Sequence, residues 1–254
     1  MDISAYLERL GLSVGEVSHT AAFLRRLQYA HVTHVPYENL DIVARIPLSL
    51  DPESVFDKVV RRHRGGYCFE LNCLLAHMLE EMGFSVRSFL GRVWRGEVGV
   101  PVRRHRVLAV ECEGATYMLD VGVGNRAPRY PLLLAAGLVQ EQCGETYKLE
   151  YDGKDGWTLF ELHDGEFQRF FSFTEEFQYD IDFLLPSFYC EKHPDSLFNK
   201  EMIVAIKTEG GRKTVNHRTY KIFEGEEITH IEENMTDERR RAVLKDEFGL
   251  SWEG

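Results

Sequence analysis

The residues best suited to chemistry lie in Arg64-Gly65-Gly66-Tyr67-Cys68-Phe69-Glu70, where a thiol stands between paired glycines and a run with helical patterning. Glycine permits a sharp backbone entry, and the unpaired N–H groups at a helix N-terminus stabilise an anion placed there. A thiolate is such an anion. At about 100° per residue, Cys68 falls on the stripe made by Leu71, Leu75, Met78, Leu79 and Met82, whereas Cys73 lies about 140° away. Cys68 is therefore expected to point inward at the positive end of a helix dipole. Filling space is the commoner fate of an isolated cysteine, so the chemical reading depends on partners.

Two strand-like runs supply them. Residues 104–110 carry His105 and residues 115–121 carry Asp120, and the few turn residues around Glu113-Gly114 predict a hairpin. With Cys112 and Glu113 as the loop, His105 lies directly opposite Asp120. With Glu113 and Gly114 as the loop, Asp120 faces Val107 and sits diagonal to His105 on the same face. Either register lets the carboxylate reach the imidazole, while an odd-length loop would separate them. A cysteine, a histidine and an acid so arranged perform nucleophilic acyl transfer. The imidazole takes the thiol proton, the carboxylate fixes the tautomer, and the thiolate attacks a carbonyl.

No metal is expected. His63, Cys68, Cys73 and His77 crowd together in sequence, yet on a helix Cys73 and His77 lie about 140° and 180° from Cys68, and no C-x-x-C pair is present. One ion could not gather them.

The elements that must position these groups follow from periodicity. Up to about residue 85 the pattern is helical, with amphipathic helices predicted over 17–27, 52–60 and 69–82. From 86 to about 190 the period shortens to strand-like runs at 86–93, 104–110, 116–121, 147–151 and 157–162, which predicts an antiparallel sheet or barrel. A third section, 191–254, shows strand patterns at 202–207, 213–216 and 220–223 and closes with a helix capped by Thr236. The expected fold class is α+β. Its units are a helical bundle (1–85) carrying the nucleophile, a β-barrel (86–190) carrying the histidine and the acid, and an α/β lid (191–254).

Composition bounds the partners. The 254 residues hold 41 Asp plus Glu against 30 Lys plus Arg, a net charge of −11, which argues against general nucleic-acid or anionic-membrane binding. No stretch approaches the roughly 18 apolar residues of a membrane span, and the start MDISAYLERLGL has no secretory pattern. The five cysteines are odd in number and irregular in spacing, as reduced thiols are. A soluble cytoplasmic protein is expected. Arg92, Arg95, Arg103, Arg104 and Arg106 form the densest basic cluster; most are read as a solvated strand face, with one or two left to hold an anion.

Arg64 to Glu70, Val35-Pro36-Tyr37-Glu38-Asn39-Leu40, the His105 strand and Leu119-Asp120-Val121-Gly122-Val123-Gly124 are similar, in this order, to the motifs of the arylamine N-acetyltransferase family. Ser196-Leu197-Phe198, Gly211-Arg212 and Asn216-His217-Arg218 resemble the family's weaker third-domain pattern. The resemblance implies a cysteine-protease-like catalytic core inside the three-part fold. It also implies acetyl-CoA as donor, a ping-pong route through acetylated Cys68, and arylamines or arylhydrazines as acceptors, as in xenobiotic metabolism. It places Tyr37, Val123 and Phe198 on the acceptor pocket and makes Glu38 and Arg64 a structural ion pair. Tyr37 and Val123 stand where the family commonly has phenylalanine. The rival reading of the same triad is a papain- or transglutaminase-type thiol hydrolase, in which water replaces the amine. A catalytically silent binding module is disfavoured because no triad residue is missing.

Overall fold

The computed structural model describes residues 1–94, 96 and 99–252. Its helical part comprises α1 (Ile3–Arg9), α2 (Ala21–His34), α3 (Leu40–Val43), α4 (Pro52–Phe56) and α5 (Cys68–Glu81), with a two-residue strand β1 (Tyr37–Glu38) between α2 and α3. Helix α2 begins later than the expected position 17 because the Thr20 side chain accepts from Phe23 N. It stops at His34, before the Val35-Pro36 step that disfavours helix. The run expected as one helix over 52–60 is α4, capped by Asp51, followed by a π-helical turn, Asp57–Arg61, that carries Lys58 into the interior.

The strands β2 (Ser85–Val93), β3 (His105–Cys112), β4 (Ala115–Leu119), β5 (Leu132–Leu133), β6 (Val139–Gln142), β7 (Glu145–Asp152), β8 (Gly156–His163) and β9 (Glu166–Phe173) form one antiparallel sheet in the order β5-β4-β3-β2-β9-β8-β7-β6. Its outer strands meet through Gln140, whose side chain accepts from Leu133 N at 2.8 Å and donates to Leu133 O at 3.0 Å. The sheet is thereby nearly closed into a barrel. Period-two alternation sorts β3: Val107 and Ala109 enter the barrel core, while Leu108 and Val110 pack against the helices.

The remainder holds α6 (Leu184–Lys192), β10 (Ile203–Lys207), β11 (Gly211–Asn216), β12 (Thr219–Glu224), β13 (Glu227–Glu232) and α7 (Asp237–Phe248). A second antiparallel sheet runs β1-β10-β11-β12-β13, so a strand from the helical part joins it at the edge. Thr236 caps α7 by accepting from Arg239 N, and Gly249, with a positive φ, ends it. Among the described residues no helix is long and apolar enough to cross a membrane. The chain is α+β, as its patterning predicts.

Candidate functional site

The thiol is placed by a loop that pairs with its neighbours on both sides. Gly66 N donates to Pro36 O at 3.3 Å and Glu38 N to Gly66 O at 2.8 Å, so the 35–40 motif is the backbone partner of the Cys68 loop. Gly65 is required there: a Cβ would lie 2.1 Å from Pro36 O. Below the loop, Arg64 lies 2.8 Å from Glu38 and 2.9 Å from Asp41, and Lys58 lies 2.7 Å from Asp41 and 2.8 Å from Glu70. Glu70 in turn accepts from Tyr67 N at 3.1 Å, clamping the first turn of α5 with Cys68 as its first residue. Removing one partner of so buried an ionic group leaves uncompensated charge, so this network is scaffold under tension of solvation.

The hairpin takes the second of the two expected registers. Leu108 pairs with Leu119 and Cys112 with Ala115, leaving Glu113 and Gly114 as the loop, both with positive φ. Asp120 follows the end of β4, and its Oδ2 lies 2.5 Å from His105 Nε2. Asp120 is fully buried and His105 1% exposed, so this pair is shielded from solvent. The imidazole ring also meets Phe171, with centroids 5.2 Å apart. Asp120 Oδ1 accepts from Gly122 N and from Asn72 Nδ2, each at 2.8 Å, and Asp120 N donates to Gln28 Oε1 at 3.3 Å.

Cys68, His105, Tyr37, Val123 and Phe198 line one cavity of about 290 Å³. Cys68 Sγ is 3.7 Å from the carbonyl oxygen of Arg104, the residue preceding the histidine. Asp120 stands behind the imidazole and does not reach the cavity wall. Gly122 passes so close to the start of α5 that a Cβ on it would lie 2.6 Å from Cys68 Cα. Burial pushes the Cys68 thiol up, with Cys190 and the Asp120 charge adding to this, against a backbone hydrogen bond and Arg104. A lone thiolate is thus opposed at this position, despite the helix N-terminus. Cys73, expected off the inward stripe, is also fully buried, because α5 is enclosed by helices on one side and the barrel on the other.

Arg126 and Phe170 share the cavity wall without having been singled out by sequence. Arg126 bonds Glu161 at 2.6 Å and lies 3.8 Å over the Phe170 ring. Asn72 was legible in principle, being a polar residue four after Cys68 on a helix face that is otherwise apolar. Of the basic cluster, Arg104 lines the cavity, Arg103 pairs with Glu176, and Arg92 donates to Pro101 O. Arg106 is buried against Ser88, Asp180 and Phe183 instead of lying on a solvated face. Arg95 lies outside the described residues.

A helical part, a nearly closed eight-stranded barrel and a five-stranded sheet gathered round such a cavity make an acyltransferase architecture. A family model described as N-acetyltransferase matches residues 20–253. The arylamine N-acetyltransferase of Mycolicibacterium smegmatis is 38% identical over 237 residues, covering 91% of this chain and 86% of the relative. The solved arylamine N-acetyltransferase from Salmonella typhimurium superposes with a TM-score of 0.94 at 30% identity, over 98% of this chain and 90% of that one. The Mycobacterium marinum enzyme, solved in complex with CoA, gives 0.91 at 32% identity, over 98% and 92%. The chain belongs to the arylamine N-acetyltransferase family.

Proposed function

We propose that this chain moves an acetyl group from acetyl-CoA to an arylamine or arylhydrazine by a ping-pong route through an acetyl-Cys68 thioester. The observation that carries the reading is that Cys68 and His105 line one cavity while the buried Asp120 holds the imidazole from behind at 2.5 Å. Cys68 gives its proton to His105 and its sulfur attacks the thioester carbonyl. The tetrahedral intermediate expels the coenzyme A thiolate, which takes the proton back from the imidazole. The amine then attacks acetyl-Cys68, His105 receives the amine proton, and collapse returns that proton to the departing Cys68 sulfur. Asp120 fixes the imidazole and stabilises its charged form. Because burial opposes a lone thiolate, proton transfer inside this pair is the economical way to make the nucleophile: the pair stays neutral overall.

Tyr37, Val123 and Phe198 are assigned to the acceptor, with Phe170 beside them. Arg104, on the cavity wall, is the member of the basic cluster best placed for a phosphate of coenzyme A. The units 1–85, 86–190 and 191–254 remain our division of the chain. The cytoplasm is our assignment of its location, supported by five cysteines, odd in number and irregular in spacing, one of them a nucleophile that must stay reduced.

The aromatic and aliphatic share of the lining, Tyr37, Val123, Phe170 and Phe198, favours a transferase over a thiol hydrolase, since a hydrolase must admit and activate water at the thioester. The test is coenzyme A release from acetyl-CoA with and without a panel of arylamines and arylhydrazines. An amine should accelerate release at least about tenfold, a barrier change of roughly 1.4 kcal/mol, and intact-mass analysis should show one acetyl group on Cys68 in its absence. Rapid release in buffer, indifferent to every amine, would assign the site to hydrolysis.

A further inference from the structure

On the face of α5 turned away from the acyl-transfer cavity, a second group of chemically active side chains converges. Among the described residues, one ligand-type atom from each of Cys73, His77 and Asp180 lies within 4.8 Å of the other two. Cys73 and His77 are four apart on α5, which stacks them on one helix face. Asp180 reaches them from the segment between the barrel and α6, with Oδ2 at 2.8 Å from His77 Nε2. None of the three lines the cavity that holds Cys68.

We propose that Cys73, His77 and Asp180 bind a thiophilic divalent cation of the zinc class. A sulfur, an imidazole nitrogen and a carboxylate oxygen form a donor set for a borderline-soft ion, and one that suits magnesium or calcium poorly. Ligand atoms around a tetrahedral zinc lie roughly 3.3 to 3.8 Å apart. The His77–Asp180 pair, at 2.8 Å, must open by about 0.5 Å and the wider separations, up to 4.8 Å, must close by about 1 Å. The two rim side chains can supply both movements, since those of His77 and Asp180 are 24% and 46% exposed while Cys73 is the buried floor. Solvent on the rim side completes the fourth position.

The surroundings fit the assignment. His77 Nδ1 lies 3.5 Å from Glu80 Oε2, so a carboxylate stands ready to orient the imidazole when its other nitrogen holds an ion. Arg106 occupies Asp180 Oδ1 at 3.0 Å and leaves Oδ2 for the cation. Binding displaces the thiol proton of Cys73 and the proton that His77 shares with Asp180, and both go to solvent. The bound ion joins the helix that starts at Cys68 to the chain just after the barrel.

The test uses Cys68→Ala, which removes the competing thiol of the cavity, titrated with cobalt(II) chloride as a spectroscopic probe and then with zinc chloride. One equivalent of cobalt should give a near-ultraviolet thiolate charge-transfer band and tetrahedral visible bands, and zinc should displace it. Added to that background, Cys73→Ala should abolish the charge-transfer band, and His77→Gln and Asp180→Asn should each weaken cobalt binding at least tenfold. Magnesium chloride should have no effect. Absence of the band in Cys68→Ala, its survival in Cys68→Ala/Cys73→Ala, or unchanged cobalt affinity in Cys68→Ala/His77→Gln would each overturn the site. The His77 arm replaces a partly exposed side chain and so stands even where loss of the Cys73 sulfur disturbs packing.

Discussion

Asn72, one helical turn beyond Cys68, donates to Oδ1 of Asp120 at 2.8 Å and to the carbonyl of Arg106 at 2.6 Å. Its own Oδ1 accepts from Val121 N at 3.0 Å. The helix that carries the thiol is thus fastened to the acid and to the strand of the histidine by one side chain. Asn72→Ala leaves these buried groups short of a partner, at a cost of about 1–3 kcal/mol in stability. It should lower the rate of Cys68 acetylation at least about tenfold, while the amine KM moves less. Urea denaturation and single-turnover acetylation check the two effects separately.

The paired thiols of α5 give a second contrast. Cys68→Ala should eliminate turnover with the fold kept. Cys73→Ala should retain most turnover yet lose about 1 kcal/mol of stability, because the deleted sulfur leaves a void in a fully buried position. Steady-state assay beside thermal melting reads both, and substantial activity in Cys68→Ala would sink the triad.

Ionisation of the proposed nucleophile, Cys68, tests whether its proton moves to His105. Burial alone would raise the thiol above its ordinary range. If His105 takes the proton, iodoacetamide should alkylate wild-type Cys68 well below the free-cysteine pKa of about 8.5. Asp120→Asn should lose that low-pH reactivity. Rate against pH for both proteins is the measurement, and one shared ordinary thiol curve would rule out the pairing.

His31 predicts an acid sensitivity remote from the cavity. Burial, with the charges of Arg9 and His34 adding, pushes it down from 6.5 to about 3, and its Nδ1 lies 3.0 Å from the Tyr6 hydroxyl. The folded chain keeps it neutral where the unfolded chain protonates it. Its contribution is therefore complete above about pH 6.5 and is lost as pH falls towards 3, at up to about 1.4 kcal/mol per pH unit. Unfolding free energy measured from pH 7 to 4.5 should fall less steeply in His31→Gln than in wild type.

The parts legible in sequence were those governed by local rules. The glycine pair before Cys68, the cap at Thr236 and a two-residue turn near Glu113 each act over a few residues, and their elements stand where periodicity puts them, although the choice between Cys112-Glu113 and Glu113-Gly114 as the loop came from the structure. Strand β9, which pairs with both β2 and β8, is not among the runs that periodicity marks, nor are α1 and β13. Burial was the quantity least accessible: Cys73 and Arg106 look like surface residues by helix angle and by charge, and only the enclosure of α5 and the approach of Asp180 and Phe183 put them inside. Asn72 could be marked as a polar residue on an apolar helix face, but not its partners, which lie 34 and 48 residues away.

The edge pairing of β1 with β10 has a consequence for the order in which the protein can be finished. Tyr37 is opposite Ala205, and Asn39 holds the Phe198 and Glu201 carbonyls and the Ile203 N–H. A ribosome delivers the thiol, imidazole and carboxylate long before it delivers these neighbours. A nascent chain that has reached the end of β9 already contains every group of the proposed triad, yet β1, the backbone partner of its Cys68 loop, has no strand on the other edge and its cavity lacks the Phe198 wall. Such distant pairings slow folding and bind early and late segments into one event. Competence of the site is therefore expected only once the segment carrying Phe198 and β10 has docked on β1.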